Sequence, residues 1–222
     1  AGAARSVLSA LILLAVILGG VLMTLLVSKL LSVTILKGVP SSFTLELPPY
    51  RRPQIGKVIV RSVFDRTIFV LGRACAAAAP AGLLIWILAN FRAGDMTILN
   101  HLEEFLDAPG HILGMDGAVL LGFLLGFPAN EIVIPIIIMC YTGAGTLTEI
   151  DNTEVLRMLF ADNGWTIKTA VCMITAVLFH FPCATTCMTI KKETGSFKWT
   201  AAAFILPTLC GIILCSIINF VF

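Results

Sequence analysis

The chain has 222 residues, of which 58% are hydrophobic and 13% charged, about half the charged share of a soluble domain. This composition is typical of a membrane protein and argues against a soluble enzyme domain. The net charge of +2 is too small to indicate a nucleic-acid partner, and seven cysteines without framework spacing argue against a disulfide scaffold.

The first third of the sequence predicts one membrane span and one surface helix. Val7 to Val27 carries no charge and is long enough to cross a hydrocarbon core of roughly 30 Å. Four prolines then forbid a continuous helix up to position 53. From Gly56 to Arg73, apolar positions recur at helical spacing opposite charged ones, which predicts an amphipathic helix at the lipid headgroups.

The remaining sequence predicts four further membrane-embedded segments. Cys75 to Phe91 reads as a span, and Thr200 to Phe222 as the last one. Between them, 118–141 and 167–190 are apolar but interrupted, around 128–131 and around 181–183. An acidic stretch at 92–117 predicts a solvent loop with a short helix, and Asn152 predicts the N-cap of another. The predicted fold is therefore an all-α polytopic membrane protein with about five membrane-embedded segments, two of them interrupted or re-entrant, and one interfacial helix.

Basic residues predict the orientation of these segments. Residues 29–73 contain eight lysines and arginines, which places them in the cytoplasm and the acidic 92–117 stretch outside. Lys191, Lys192 and Lys198 are again cytoplasmic. An odd number of crossings must lie between, so one interrupted segment crosses and the other returns. The mostly acidic 142–165 loop favours 118–141 as the hairpin that returns.

The two interruptions carry the residues that suggest a site. A proline at membrane depth frees a backbone carbonyl, which survives only inside protein or beside a water-filled cavity. Asn130 and Glu131 lie at the first interruption, and an ionised carboxylate in the membrane is costly unless it pairs or binds something. Cys183 and Thr186 lie at the second interruption beside His180, and a thiolate or imidazole suits a transition metal.

Each of these residues also has a structural interpretation. Glu131 can pair with a basic residue and lock two helices, and His180 can be a satisfied buried histidine. Thr185 and Thr186 can bond back to carbonyls that Pro182 frees, and Cys187 can serve helix packing. The residues alone leave these alternatives open.

Three sequence runs combine prolines with polar or charged residues in a chain that is otherwise apolar. They are Glu46-Leu47-Pro48-Pro49-Tyr50-Arg51-Arg52-Pro53, Pro128-Ala129-Asn130-Glu131-Ile132-Val133, and Pro182-Cys183-Ala184-Thr185-Thr186 with Ile190-Lys191-Lys192-Glu193-Thr194-Gly195-Ser196-Phe197-Lys198-Trp199. These runs resemble signatures of the prokaryotic ferrous iron transport protein B family. Their order is similar to the second gate repeat of that family's membrane domain. The resemblance divides the chain into a first helix with a proline-rich connector (1–55) and a gate-type membrane domain (56–222).

The resemblance implies passage of Fe(II) into the cytoplasm across a prokaryotic cytoplasmic membrane. Glu131, Cys183, Asn130, His180 and Thr186 are then the expected metal ligands, and the chain is a transporter segment rather than an enzyme. The sequence has no G-x-x-x-x-G-K-[ST] loop for GTP, so the family's GTPase domain and first gate are expected partners, on the same or a separate chain.

Several alternatives stay open beside iron transport. One is a gate-type transporter of another substrate such as a nucleoside, which Asn130 and Glu131 would hydrogen-bond. Another is a non-transporting membrane scaffold whose interruptions are only helix packing. The chain reads either as a fragment or as a split gene product. Its surroundings are the lipid bilayer, and a homo-oligomer is one option for its assembly.

Overall fold

A computed structural model describes residues 2–34 and 54–222, without the side chains at positions 2–5, 55, 58, 62, 65, 66 and 69. The chain divides into two compact units, Ala1–Pro53 and Gln54–Phe222. Most of the predicted proline-rich connector, including Glu46 and the whole 46–53 signature, lies outside the described residues.

The first unit contains one long helix, α1 (Gly2–Thr34). Its stretch Ser6–Thr34 is apolar and long enough to cross a membrane, and none of its most apolar window is buried within the chain. The helix continues past the predicted end at Val27, and hydroxyl side chains in this added part bond to its backbone. Ser32 Oγ donates to Ser28 O at 2.8 Å, and Thr34 Oγ1 to Leu30 O at 2.7 Å.

The second unit begins with helix α2 (Ile55–Arg61), a π-helical turn over Ser62–Ile68, and helix α3 (Phe69–Asn90). The three follow one another directly, and every residue from Ile55 to Asn90 is helical. The segment predicted as an interfacial helix at 56–73 and the span predicted at 75–91 therefore form one helical run, with Pro80 inside α3.

The acidic stretch after α3 is more ordered than the sequence predicted. A two-stranded antiparallel hairpin pairs β1 (Arg92–Ala93) with β2 (Met96–Thr97), and Gly94 at its turn has φ of 77°. Helix α4 (Ile98–Ile112) follows, with Thr97 as its N-cap. Its acidic side chains lie beside a face that buries Leu99, so the charges fit a helix and do not require a loop.

Helices α5 (Gly117–Leu125) and α6 (Val133–Thr142) form an antiparallel hairpin. Asp116 before α5 bonds to Tyr141 near the end of α6, and Gly122 in mid-α5 lies against Ile137. Helices of nine and ten residues are about 14 and 15 Å long, so each arm reaches about half-way through a roughly 30 Å hydrocarbon core.

Helix α7 (Thr153–Asp162) is capped by Asn152, as predicted, since Asn152 Oδ1 accepts from Glu154 N at 2.9 Å. The last helices are α8 (Ile167–Leu178), α9 (Ala184–Thr194) and α10 (Phe197–Val221). Cys172 lies against Cys215, and Phe181 stacks on Phe204. Helix α8 and the interruption that follows it therefore run antiparallel to α10.

The hairpin of α5 and α6 is the centre of the second unit. One buried cluster joins it to α3 and α4 and includes Ile85, Leu99, Leu121 and Ile136. A second cluster joins it to α8 and α10 and includes Val119, Ile137, Cys172 and Cys215. The hairpin is thus held on both sides by apolar packing.

Three helices in the described residues are apolar and long enough to span a membrane. They lie within α1, α3 and α10, and the pair α4 and α5, bent by 107°, would make a fourth span if counted as one. Together with the hairpin and the interrupted α8–α9 segment, this is the all-α, multi-pass membrane architecture that the sequence predicted.

Candidate functional site

The two interrupted segments lie side by side and break at the same level. Helices α5 and α8 run parallel, since Phe123 in α5 packs on His180 with ring centroids 5.0 Å apart. One turn further along, the backbone N–H of Ala184 donates to Phe127 O at 2.9 Å. This hydrogen bond joins the tip of the hairpin directly to the interruption of the α8–α9 segment.

The first interruption is a tight turn between α5 and α6. Ala129 N donates to Gly126 O at 3.0 Å. This hydrogen bond satisfies one backbone carbonyl of the turn that contains Pro128. A short 3₁₀ turn, Asn130–Ile132, leads into α6. The side chains of Asn130 and Glu131 are both exposed there, as expected for residues beside a cavity.

The second interruption lies between Leu178, the last residue of α8, and Cys183, which stands at the N-cap of α9. The carbonyl of Pro182 accepts from Cys187 Sγ at 3.4 Å. The Cys183 sulfur instead lies 3.1 Å from both Thr185 Oγ1 and Thr186 Oγ1. Cys187 thus bonds to the carbonyl of Pro182 itself, and both threonine hydroxyls converge on Cys183. The carbonyl that the missing proline N–H frees is a different one, four residues earlier at Leu178.

Asn130, Glu131 and His180 line one cavity of about 240 Å³, with Met173 and Val177 in its wall. Both ring nitrogens of His180 are buried and have no hydrogen-bond partner within the described residues. Backbone groups of Phe123 and Phe181 lie close to the ring, so the structural interpretation of His180 stands beside the metal-ligand one. The cavity offers a carboxylate, an amide and an imidazole, which are donors that borderline divalent metals accept.

Cys183 and Thr186 are not in that cavity, and they form a separate polar cluster at the start of α9. Within the described part of the chain, no group of three or more His, Cys, Asp or Glu side chains is placed to hold a metal ion. The five predicted ligands therefore occupy two neighbouring groups, one with three residues and one with two.

Three phenylalanines pack together at the interruptions. Phe127 at the hairpin tip lies 5.7 Å from Phe181 and 5.8 Å from Phe204, measured between ring centroids. Phe181 and Phe204 are stacked at 4.7 Å, and His180 contacts Phe181 at 3.9 Å. We call these three residues the phenylalanine cluster, and they pack beside the breaks in both segments.

A polar network at the open end of the hairpin was not predicted from the sequence. Tyr141 donates a hydrogen bond to the Asp116 carboxylate and accepts one from Trp165 Nε1 at 2.7 Å. Asp116 also caps α5 by accepting from Val119 N at 2.8 Å. The Asp116-x-x-Val119 spacing is a helix N-cap signal, but the partners Tyr141 and Trp165 are too far along the chain to be paired by pattern.

The two histidines of α4 have local partners. His101 Nε2 lies 2.8 Å from Ala93 O, and His111 Nε2 lies 3.2 Å from an Asp107 carboxylate oxygen. Both side chains are exposed, and neither approaches the cavity that His180 lines.

Two family models match the chain. The model described as ferrous iron transport protein B C terminus matches residues 13–66, and the Gate model, described as nucleoside recognition, matches residues 71–197. The second match contains both interruptions and the cavity between them. No solved structure matches the chain.

Curated relatives named Fe(2+) transporter FeoB match most of the chain. The one from Staphylococcus aureus (strain MSSA476) is 29% identical over 92% of this chain and 30% of its own length. Those from Leptospira interrogans (serovar Lai) and Campylobacter jejuni are 24% and 25% identical over 86% and 84% of the chain. The chain spans about a third of these relatives. Because the Gate model covers more than half of the chain, this protein belongs to the Gate family, and over most of its length it is similar to the C-terminal part of the Fe(2+) transporter FeoB.

Proposed function

We propose that the chain forms the ion-conducting C-terminal part of a ferrous iron transporter in a prokaryotic cytoplasmic membrane. The observation that carries this proposal is the cavity shared by Asn130, Glu131 and His180 at the level where both helices break. Interrupted helices near the middle of the bilayer supply ion sites in many transporters, because carbonyls and side chains there replace part of a hydration shell. The relatives named Fe(2+) transporter FeoB support iron as the ion.

Glu131 supplies the negative charge that makes the cavity favourable for a divalent cation. Asn130 and one nitrogen of the neutral His180 ring supply donors that replace bound water, once the ring turns that buried nitrogen toward the cavity. An all-oxygen cage would suit magnesium, whereas an imidazole favours a borderline metal such as Fe(II). The three residues therefore combine attraction for a divalent ion with selection against magnesium.

Cys183 with Thr186 forms a second station. If residues 191–198 face the cytoplasm, α8 enters from outside and Cys183 lies on the cytoplasmic side of the interruption. Fe(II) then passes from the Asn130–Glu131–His180 cavity to the Cys183 thiol. The phenylalanine cluster of Phe127, Phe181 and Phe204 lies at this level, and movement of the hairpin tip relative to α9 opens the path.

The energy for opening comes from a GTPase domain in the remaining part of the transporter. We place this partner, together with a first gate repeat, in the part of the transporter that the chain does not span. The match to a model described as nucleoside recognition favours a second candidate, in which Asn130 and Glu131 hydrogen-bond a nucleoside in the same cavity.

Iron accumulation tests the proposal. Cells that depend on a transporter containing this sequence are compared with Glu131→Gln and Cys183→Ser variants at equal membrane abundance. Both variants should accumulate less Fe(II), while Glu104→Gln on α4 and Cys210→Ser on α10 should accumulate the parent amount. Parent-level uptake by both site variants would overturn the proposal, and saturable inhibition by a nucleoside would favour the second candidate.

A further inference from the structure

A second set of metal-binding atoms lies between α8 and α10, beside an apolar cavity that His180 also lines. Cys172 and Cys215 are both buried, at 0% and 1% exposure. Cys215 Sγ lies 3.4 Å from Cys172 O, and Cys172 Sγ lies 4.0 Å from Cys215 O. Each thiol therefore points across the helix contact toward the other cysteine.

Met115 adds a third sulfur-containing side chain to the same buried cluster. It belongs to the same buried cluster as the two cysteines, and it lines an apolar cavity of about 240 Å³ together with Cys215. The preceding residue, Gly114, lies so close to Cys172 that an added Cβ would be 2.8 Å from Cys172 Sγ. Three chain segments thus contribute two cysteines and one methionine to one apolar cluster.

The ligand atoms of this cluster favour a different class of metal from the ligands proposed for Fe(II). The side chains of Cys172, Cys215 and Met115 supply only sulfur, and Asn130 and Glu131 line a different cavity. Thiolate and thioether ligands favour soft ions such as Cu(I), whereas magnesium and calcium require oxygen. The neighbouring cavity gives the Met115 side chain room to adjust, which is the flexibility that a thioether ligand needs.

We propose that Cys172, Cys215 and Met115 form a binding site for a soft monovalent metal ion of the Cu(I) class. Binding replaces the two thiol protons with one ion held by two thiolates and the Met115 thioether, and it releases those protons to solvent. The ion links α8 to α10 and binds apart from Asn130 and Glu131, which line a different cavity.

The test uses the full chain in detergent, with Cu(I) supplied anaerobically from a coloured chelator complex. Cys75, Cys183, Cys187 and Cys210, which are the cysteines that are not fully buried, are first replaced by serine. The resulting protein should still take one Cu(I) per chain from the chelator. Cys172→Ala and Cys215→Ala should each abolish this transfer, and Met115→Leu should weaken it about tenfold, as loss of a supporting contact does at other metal sites.

Cys140→Ala is the matched control, because Cys140 is buried in the other apolar cluster. It should leave the transfer of Cu(I) unchanged. Met115→Leu nearly conserves side-chain volume, so it keeps the test decisive even if a cysteine variant does not fold. The proposal would be overturned if the four-serine protein took no Cu(I) from the chelator. It would also be overturned if that protein took the same amount of Cu(I) with and without the Met115→Leu change.

Discussion

His180 is the residue at which stability and proposed function conflict. Its two ring nitrogens are buried without a hydrogen-bond partner in the described part of the chain, and leaving such a group unsatisfied costs about 1–3 kcal/mol. Its ring packs between Phe123 and Phe181, an environment that would suit phenylalanine. A residue that is costly in the empty site is explained if a bound ion supplies the missing partner.

His180→Phe should therefore stabilise the protein and weaken iron binding. We expect the unfolding temperature to rise by about 2–4 °C for each kcal/mol that is gained when the unsatisfied ring nitrogens are removed. Fe(II) affinity should fall about tenfold, which corresponds to about 1.4 kcal/mol. Thermal unfolding and anaerobic Fe(II) titration in detergent check the two effects. His111→Phe, an exposed change on α4, should produce neither, and a destabilised His180→Phe protein would contradict this account.

Side-chain partners at the interruptions could be predicted from sequence only in part. Pro182 and its neighbours predicted a break with a free carbonyl, and the helix does end there. The contact of Cys187 with the Pro182 carbonyl and the convergence of both threonine hydroxyls on Cys183 depend on rotamers, which the pattern does not specify. The grouping of His180 with Asn130 and Glu131, rather than with Cys183, depends on how α5 packs against α8, and such contacts between distant segments leave no spacing signal.

At the scale of elements, two glycines set how closely the arms of the hairpin approach. A Cβ at Gly122 would lie 2.9 Å from Ile137 Cγ1 and 3.2 Å from Val133 O. A Cβ at Gly126 would lie 2.5 Å from Val133 Cγ2. Small residues one helical turn apart allow close packing of membrane helices. Because the same hairpin carries Asn130 and Glu131, its packing also positions the cavity.

Gly122→Ala should destabilise the protein by about 1–3 kcal/mol, since the added methyl group overpacks the contact with α6. The matched control is Gly82→Ala in α3, where a Cβ meets nothing within 4 Å. That change should be neutral or stabilise by up to about 1 kcal/mol through helix propensity. Thermal unfolding of both variants in one detergent measures the difference. Equal unfolding temperatures of the two variants would show that the close approach of α5 and α6 does not contribute to stability.

The sequence predicted the elements that depend on local signals. Apolar length predicted the long helices, prolines predicted both interruptions, and Asn152 predicted a helix cap. The acidic stretch before Gly117 was predicted mainly as a loop because it contains many acidic residues. The prediction did not consider that these residues are spaced so that a helix keeps one apolar face. The π-helical turn at Ser62–Ile68 has no local signal, and it joins two segments that the pattern had separated.

At the scale of the whole molecule, the segment that returns and the segment that crosses have distinct geometries. The hairpin of α5 and α6 reverses at Phe127–Ala129, whereas α8 and α9 continue along α10. Charge had predicted one returning and one crossing segment and had only weakly favoured which was which. The orientation in the membrane itself still depends on the positive-inside rule.

Cysteine labelling on intact cells checks that orientation. A cysteine replacing Asp162, an exposed residue at the end of α7, should react with a membrane-impermeant maleimide added outside. A cysteine replacing Lys192 at the end of α9 should react only after the membrane is permeabilised. The expected difference follows because α8 and α9 together cross the bilayer once. Labelling of both positions from the same side would mean that this segment also returns.

Anaerobic calorimetry of Fe(II) binding to the purified chain in detergent tests the central claim most directly. The claim is that Fe(II) binds where the two interrupted segments meet, with Glu131 supplying charge and Cys183 supplying a softer ligand. The account predicts saturable Fe(II) binding that Mg(II) does not reproduce, and a loss of affinity of about tenfold or more in both Glu131→Gln and Cys183→Ser, or about 1.4 kcal/mol each. Fe(II) affinity that is the same in the parent chain and in both variants would contradict it.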